Sequence, residues 1–212
     1  MRFGMIFGIL LTAAMLLPSI RADAADSQTS PAAVSQTPST ADIQTLLLLG
    51  EVYKLIQNKN YSDAKIKIQD ILSKEQPPDV TEPTYFYLYN INIFTNDLAA
   101  AAPNLQNFIK ALVQNSGKDN PTTRDKINNT VAMLANPFTE SLLPVLSQTA
   151  EEQGLELPWS VGSNDLTIHN KLANVQIPKT SGPFVRTKME FFARGWHDTV
   201  FNYAKRDRKS RH

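Results

Sequence analysis

Trp196, His197 and Asp198 form the chain's best grouping for acid–base chemistry. A histidine beside a carboxylate and an aromatic ring can be oriented and tuned as a general base. Adjacent residues, however, do not face each other on a helix or a strand, so Asp198 is poorly placed to hold the His197 ring. The triplet therefore reads first as a turn with a packed tryptophan and a solvated polar pair. An enzyme, or an enzyme subunit, with its site at His197 and Asp198 stands as an alternative. The rest of the catalytic inventory is negative. The chain has no cysteine, which excludes thiol catalysis and thiolate metal sites. His169, His197 and His212 offer no pair at helical ligand spacing. The glycines after residue 24 are too scattered to build a phosphate-cradling loop. Glu151-Glu152 reads as a solvated face, and Asn164-Asp165 has too few neighbouring oxygens for calcium. No metal and no cofactor are expected.

Two further groupings suggest binding rather than catalysis. Tyr85, Tyr87 and Tyr89, with Phe86 among them, could line a concave groove that grips an extended peptide; the competing reading is ordinary packing between helices. The other grouping is basic. From Lys179 to the end there are nine Lys/Arg and three Asp/Glu, a balance of +6 within a chain whose formal net charge is +1. Lys205, Arg206, Arg208, Lys209 and Arg211 concentrate this charge in the last eight residues. Such a tail can bind an anionic surface through counterion release, or simply solubilise a frayed terminus. Near-zero overall charge gives no general argument for nucleic acid.

These groupings sit on a chain of 212 residues that is 42% hydrophobic and 19% charged, which excludes collagenous and wholly disordered classes. Its first segment reads as an export signal. Arg2 precedes an apolar run from Phe3 to Leu17, and Ala22-Asp23-Ala24 supplies a small-x-small cleavage triplet. Fifteen residues fall short of the roughly 20 needed to span a bilayer. Cleavage after Ala24 is expected, placing the mature chain in a bacterial periplasm or outside the cell, since an exported domain without cysteine must hold by core packing alone. Residues 25–40, rich in Ala, Ser, Thr, Gln and Pro, read as a flexible linker.

The body that follows is expected to be mainly α. Leu46, Leu49, Val52, Tyr53 and Ile56 recur at three and four, behind Asp42 as a cap. After Asn58-Lys59-Asn60, a second helix carries Tyr61, Ala64, Ile68, Ile71 and Leu72 and stops at Pro77-Pro78. Two helices joined so briefly must run antiparallel. A shift of 37 residues maps Leu49, Val52 and Ile56 onto Phe86, Tyr89 and Ile93. The same shift maps Tyr61, Ala64, Ile68 and Ile71 onto Leu98, Ala101, Leu105 and Phe108. The repeat decides for helix over Tyr85–Phe94, which alone alternates partly like a strand.

The stretch Tyr61-Ser-Asp-Ala64 with Ile68, Ile71, Leu72 and Pro77 resembles the second helix of a tetratricopeptide repeat, and Gly50 and Tyr53 fall where that family places a glycine and an aromatic. The likeness covers residues 45–114. It departs from the pattern at Asn90, where a tyrosine belongs, and at Pro103, inside the second helix. It implies antiparallel helical hairpins that present a groove to a protein partner.

Further helices are expected over Thr122–Leu134 and over Phe138–Gln153, the latter kinked at Pro144 and closed by Gly154. Residues 41–154 then form a helical-hairpin domain. Residues 155–212 form a small irregular or α/β segment ending in the basic tail. There, Leu166–Ile168 and Val175–Ile177 look extended, and Pro183 suits the first turn of a helix reaching Ala193, with a strand over the same stretch as the alternative. The reading of His197–Lys205 stays open between strand and helix. Together these features lead to an exported, non-enzymatic scaffold with a protein partner. Its few hairpins favour self-association or a larger complex, and its tail offers anionic-membrane binding as an alternative, with nucleic acid disfavoured.

Overall fold

The computed structural model describes residues 40–191 and 199–205. The segment expected to be an export signal, and all but the last residue of the expected linker, lie outside them. Six helices come first: α1 (Thr40–Gln57), α2 (Tyr61–Leu72), α3 (Pro78–Phe94), α4 (Leu98–Ser116), α5 (Pro121–Leu134) and α6 (Leu143–Glu152). They pack in successive pairs, α1 on α2, α3 on α4 and α5 on α6, each pair touching the next. None is long and apolar enough to cross a membrane.

The 37-residue shift holds down to hydrogen bonds. Lys59 and Asn96, the equivalent turn residues, both take left-handed φ, 58° and 57°. The Lys59 N–H donates to Ile56 and that of Asn60 to Leu55; the Asn96 N–H donates to Ile93 and that of Asp97 to Asn92. Helices α1 and α3 end at equivalent positions, and α2 and α4 begin at equivalent positions.

Helix α3 is the shared wall. Its Val80 and Ile91 complete a core with Leu49, Val52 and Ile56 of α1 and Ala64, Ile68 and Ile71 of α2. Its Tyr89 joins a larger core with Leu105 and Phe108 of α4, Ile127 of α5 and Leu146 of α6. A helix buried on opposite sides needs apolar residues nearly all round, which is why Tyr85–Phe94 reads ambiguously by periodicity. One expectation for α1 fails: Leu46 is not part of its buried stripe but 56% exposed.

The expected kinked helix over Phe138–Gln153 is in fact a turn followed by a shorter helix. Asn136 ties the turn down, its Oδ1 accepting from the Phe138 N–H and its Nδ2 donating to Thr139 Oγ1. A single 3-10 turn, Glu140–Leu142, leads into α6, where Pro144 sits at the start. A proline in the first turn lacks no hydrogen bond and so starts α6 rather than bending it. Gly154, at φ 72°, closes it as expected.

Beyond α6 the described chain is β. Strands β1 (Trp159–Val161), β2 (Ile168–Asn170) and β3 (Val175–Ile177) form one antiparallel sheet. Strands β4 (Thr180–Ser181), β5 (Phe184–Phe191) and β6 (Thr199–Lys205) form another. Of the two readings after Pro183, the helix is overturned and the strand holds. Gly182, at φ 57°, and Pro183 make a two-residue hairpin loop that pairs Ser181 with Phe184 and Thr180 with Val185. Proline's fixed φ serves a tight turn as well as a helix start, and the left-handed glycine before it decides between them. The open reading of His197–Lys205 resolves to strand from Thr199 onward. Leu166 adopts φ 54° in a turn, so the extended run begins at Ile168 rather than Leu166. Leu155, Leu157, Trp159 and Ile168 enter the same core as α4–α6, so the sheet region shares its interior with the helices.

Candidate functional site

The tyrosines of α3 divide by the side each faces. Tyr89 is fully buried, edge-on to Phe86 at 5.5 Å between ring centroids and 5.7 Å from Phe108. Burial raises its phenol pKa, opposed in part by Thr130 and Asn90. An enclosed side chain cannot line a peptide groove, so Tyr89 leaves that candidate set. Tyr85 is half-buried against the larger core. Tyr87 is half-buried on the other side of α3, its ring 6.4 Å from that of Tyr53 on α1. Burial, then the neighbouring Tyr53, raises the Tyr87 phenol pKa.

The face that α1 and α3 share is therefore built around Tyr53 and Tyr87. Gly50 and Leu46 lie three and seven residues before Tyr53, on the same side of α1 by helical spacing. Gly50 is exposed and has nothing within 4 Å of where a Cβ would sit, and Leu46 extends the apolar surface beyond it. Leu46, whose spacing predicts a core position, is instead exposed on this face.

Two buried ionic groups were not legible in the sequence. Glu82 of α3, 5% exposed, accepts from Asn115 Nδ2 of α4 at 2.6 Å and from Lys126 Nζ of α5. Glu140, 2% exposed, lies 2.6 Å from Lys179 Nζ and 3.8 Å from the guanidinium of Arg186, itself 1% exposed. Arg186 donates to the carbonyls of Ile177, at 3.0 Å, and Leu166, at 2.8 Å. Burial lowers its pKa, and Glu140 and then Tyr203 oppose that shift. Each charge has a partner across an element boundary, which marks these groups as fasteners between elements.

The remaining candidates show little chemistry. His197 and Asp198 lie outside the described residues, as do Arg206, Arg208, Lys209 and Arg211; Lys205 is exposed at the end of β6. Glu151 pairs with Lys171 at 3.2 Å, and Glu152 accepts from Gln148. Asp165 is engaged by the Thr167 N–H and hydroxyl, which lower its pKa. Among the described residues, no group of three His, Cys, Asp or Glu could hold a metal ion. A depression of about 140 Å³ between α5 and the chain after α6 is lined by Lys118 and Arg124 but also by Asp119 and Glu156, so it favours neither charge sign. No family model, no curated protein and no solved structure matches this chain.

Proposed function

We propose that this chain is an exported, non-enzymatic interaction protein whose hairpins, in the manner of tetratricopeptide repeats, hold an extended apolar segment of a protein partner across α1 and α3. The observation that carries this reading is the Tyr53–Tyr87 pair, half-buried and 6.4 Å apart, with exposed Leu46 and Gly50 beside it. Stacked hairpins bind by presenting the first helix of each pair to one groove. The recurrence of α1–α2 as α3–α4, turn geometry included, supports that arrangement. Rigid aromatic rings lose little conformational freedom on binding, and the exposed glycine one turn before Tyr53 lets a partner's backbone approach closely.

Affinity capture from the native extract tests the reading. Wild type should retain a specific protein that Leu46→Asp and Tyr53→Ala both lose. Leu46 is mostly solvent-exposed, so its substitution should leave thermal stability within about 0.5 kcal/mol. Equal capture by wild type and Leu46→Asp would remove the α1–α3 face from the proposal.

A further inference from the structure

We infer that β6 is a homodimerisation edge, pairing antiparallel with the β6 of a second copy of this chain. Strand β6 lies at the end of the order β4-β5-β6, and among the described residues nothing pairs with its other side. The direction of its backbone groups follows from one hydrogen bond. Thr187 Oγ1 of β5 donates to the Asn202 carbonyl at 3.2 Å, beside the register shift between Arg186 and Lys188. The Asn202 carbonyl therefore points at β5. By alternation along a strand, the N–H and C=O groups of Phe201 and Tyr203 point away from β5, toward the open edge.

Proteins usually protect such an edge with charge, proline, a bulge or extreme shortness. Here the bulge lies on β5, and the seven residues of β6 contain no proline and no charge before Lys205. Three of them, Thr199, Val200 and Phe201, open the strand with strong β-formers.

The edge also complements itself. A two-fold axis that sets Phe201 opposite Tyr203 of the other copy lets these residues exchange both backbone hydrogen bonds, twice over by symmetry. The same register sets Val200 opposite Ala204 and Lys205 opposite Thr199, so no like charges meet. Val200 is 45% exposed and Ala204 is exposed, on the face away from Phe201 and Tyr203. Phe201 packs toward the larger core, and Tyr203 donates to the Pro178 carbonyl at 2.6 Å. The side chains that would meet across the axis on the outer face are therefore available without unpacking the protein. The two β4-β5-β6 sheets would then join as one sheet of six strands.

The test is sedimentation equilibrium on the full chain over a concentration series, with two double variants. Wild type should dimerise. Val200→Lys with Ala204→Lys places lysine opposite lysine twice in the dimer, yet leaves both side chains in solvent in the monomer. It should weaken dimerisation by at least about tenfold. Val200→Lys with Ala204→Glu places opposite charges there and should restore it, which also guards against a variant that merely misfolds. A monomeric wild type overturns the proposal, as does a dimer indifferent to both variants. A dimer weakened equally by both overturns this register.

Discussion

Asn60 and Asp97 occupy the same position in two successive helix pairs, each closing the start of the second helix. The Asn60 Oδ1 accepts from the Asp63 N–H at 3.4 Å, and the Asp97 Oδ1 accepts from the Ala100 N–H at 3.1 Å. Each satisfies one of the donors that a helix start leaves orphaned. Asp97 also sets a carboxylate against the positive end of α4, where Asn60 sets a neutral amide.

Removing the caps should therefore cost unequally. Asn60→Ala is expected to lower stability by about 1 kcal/mol, and Asp97→Ala by somewhat more, toward 2 kcal/mol. Urea unfolding measures both as a shift of midpoint at constant slope. A larger loss for Asn60→Ala would mean that the shorter contact and the charge at Asp97 contribute nothing.

The residues just before these caps give a prediction of opposite sign. Lys59 holds φ 58°, which costs a residue with a Cβ, whereas Asn96 at 57° tolerates that region better. Lys59→Gly should raise stability by about 1 kcal/mol, less the entropy glycine adds to the unfolded chain. Asn96→Gly should change it by less than about 0.5 kcal/mol. Equal effects at the two sites would remove left-handed strain as the cause.

Legibility in the sequence tracked how one-sided each element's burial is. Helix α2 buries a single stripe of Ala64, Ile68 and Ile71, and those residues are the ones its periodicity singles out. Helix α3 is enclosed on opposite sides, so its pattern blurs, and only the repeat identified it as a helix. The strand β5 stays undecided against a helix in the sequence because Gly182-Pro183 can begin either a hairpin or a helix, and the pairing with β6 that decides it is not local. Of the expected groove, Tyr87 lies at the α1–α3 face while Tyr89 points into the core; residues two apart on a helix diverge by about 200°, so one run of tyrosines could not serve a single face. Glu140 and Arg186 carry no signal because they meet only after the β meander has folded back on the helices.

That meeting holds the sheet region to the helices, and its loss should be local. Arg186→Ala leaves Glu140 buried with Lys179 alone and strips the Ile177 and Leu166 carbonyls of their donor. Breaking a buried pair from one side should cost about 3 kcal/mol or more. Replacing both partners by apolar residues of similar volume, Glu140→Leu with Arg186→Met, should recover much of it. Native-state hydrogen exchange should show β1–β5 amides opening first in Arg186→Ala, with α2 and the α1-facing side of α3 unchanged. Uniform loss of protection would instead make the pair part of one global core.

Tyr89 makes stability depend on alkaline pH. Burial raises its phenol pKa in the folded protein, with Thr130 and Asn90 opposing part of the rise, whereas an unfolded tyrosine ionises near 10. The folded state therefore keeps the proton that the unfolded state releases, and stability falls as pH rises wherever the unfolded chain binds fewer protons. The contribution of Tyr89 is complete below about pH 10 and is lost as pH climbs from there toward the folded pKa. In that window the loss approaches about 1.4 kcal/mol per pH unit from this one group. Tyr89→Phe keeps the ring contacts with Phe86 and Phe108 and removes the ionisable oxygen. Urea titrations at pH 7, 8 and 11 should show the wild-type stability relative to Tyr89→Phe constant at the first two and lower by about 1.4 kcal/mol at the third. Parallel curves throughout would show that the Tyr89 hydroxyl ionises in the folded protein as readily as in the unfolded chain.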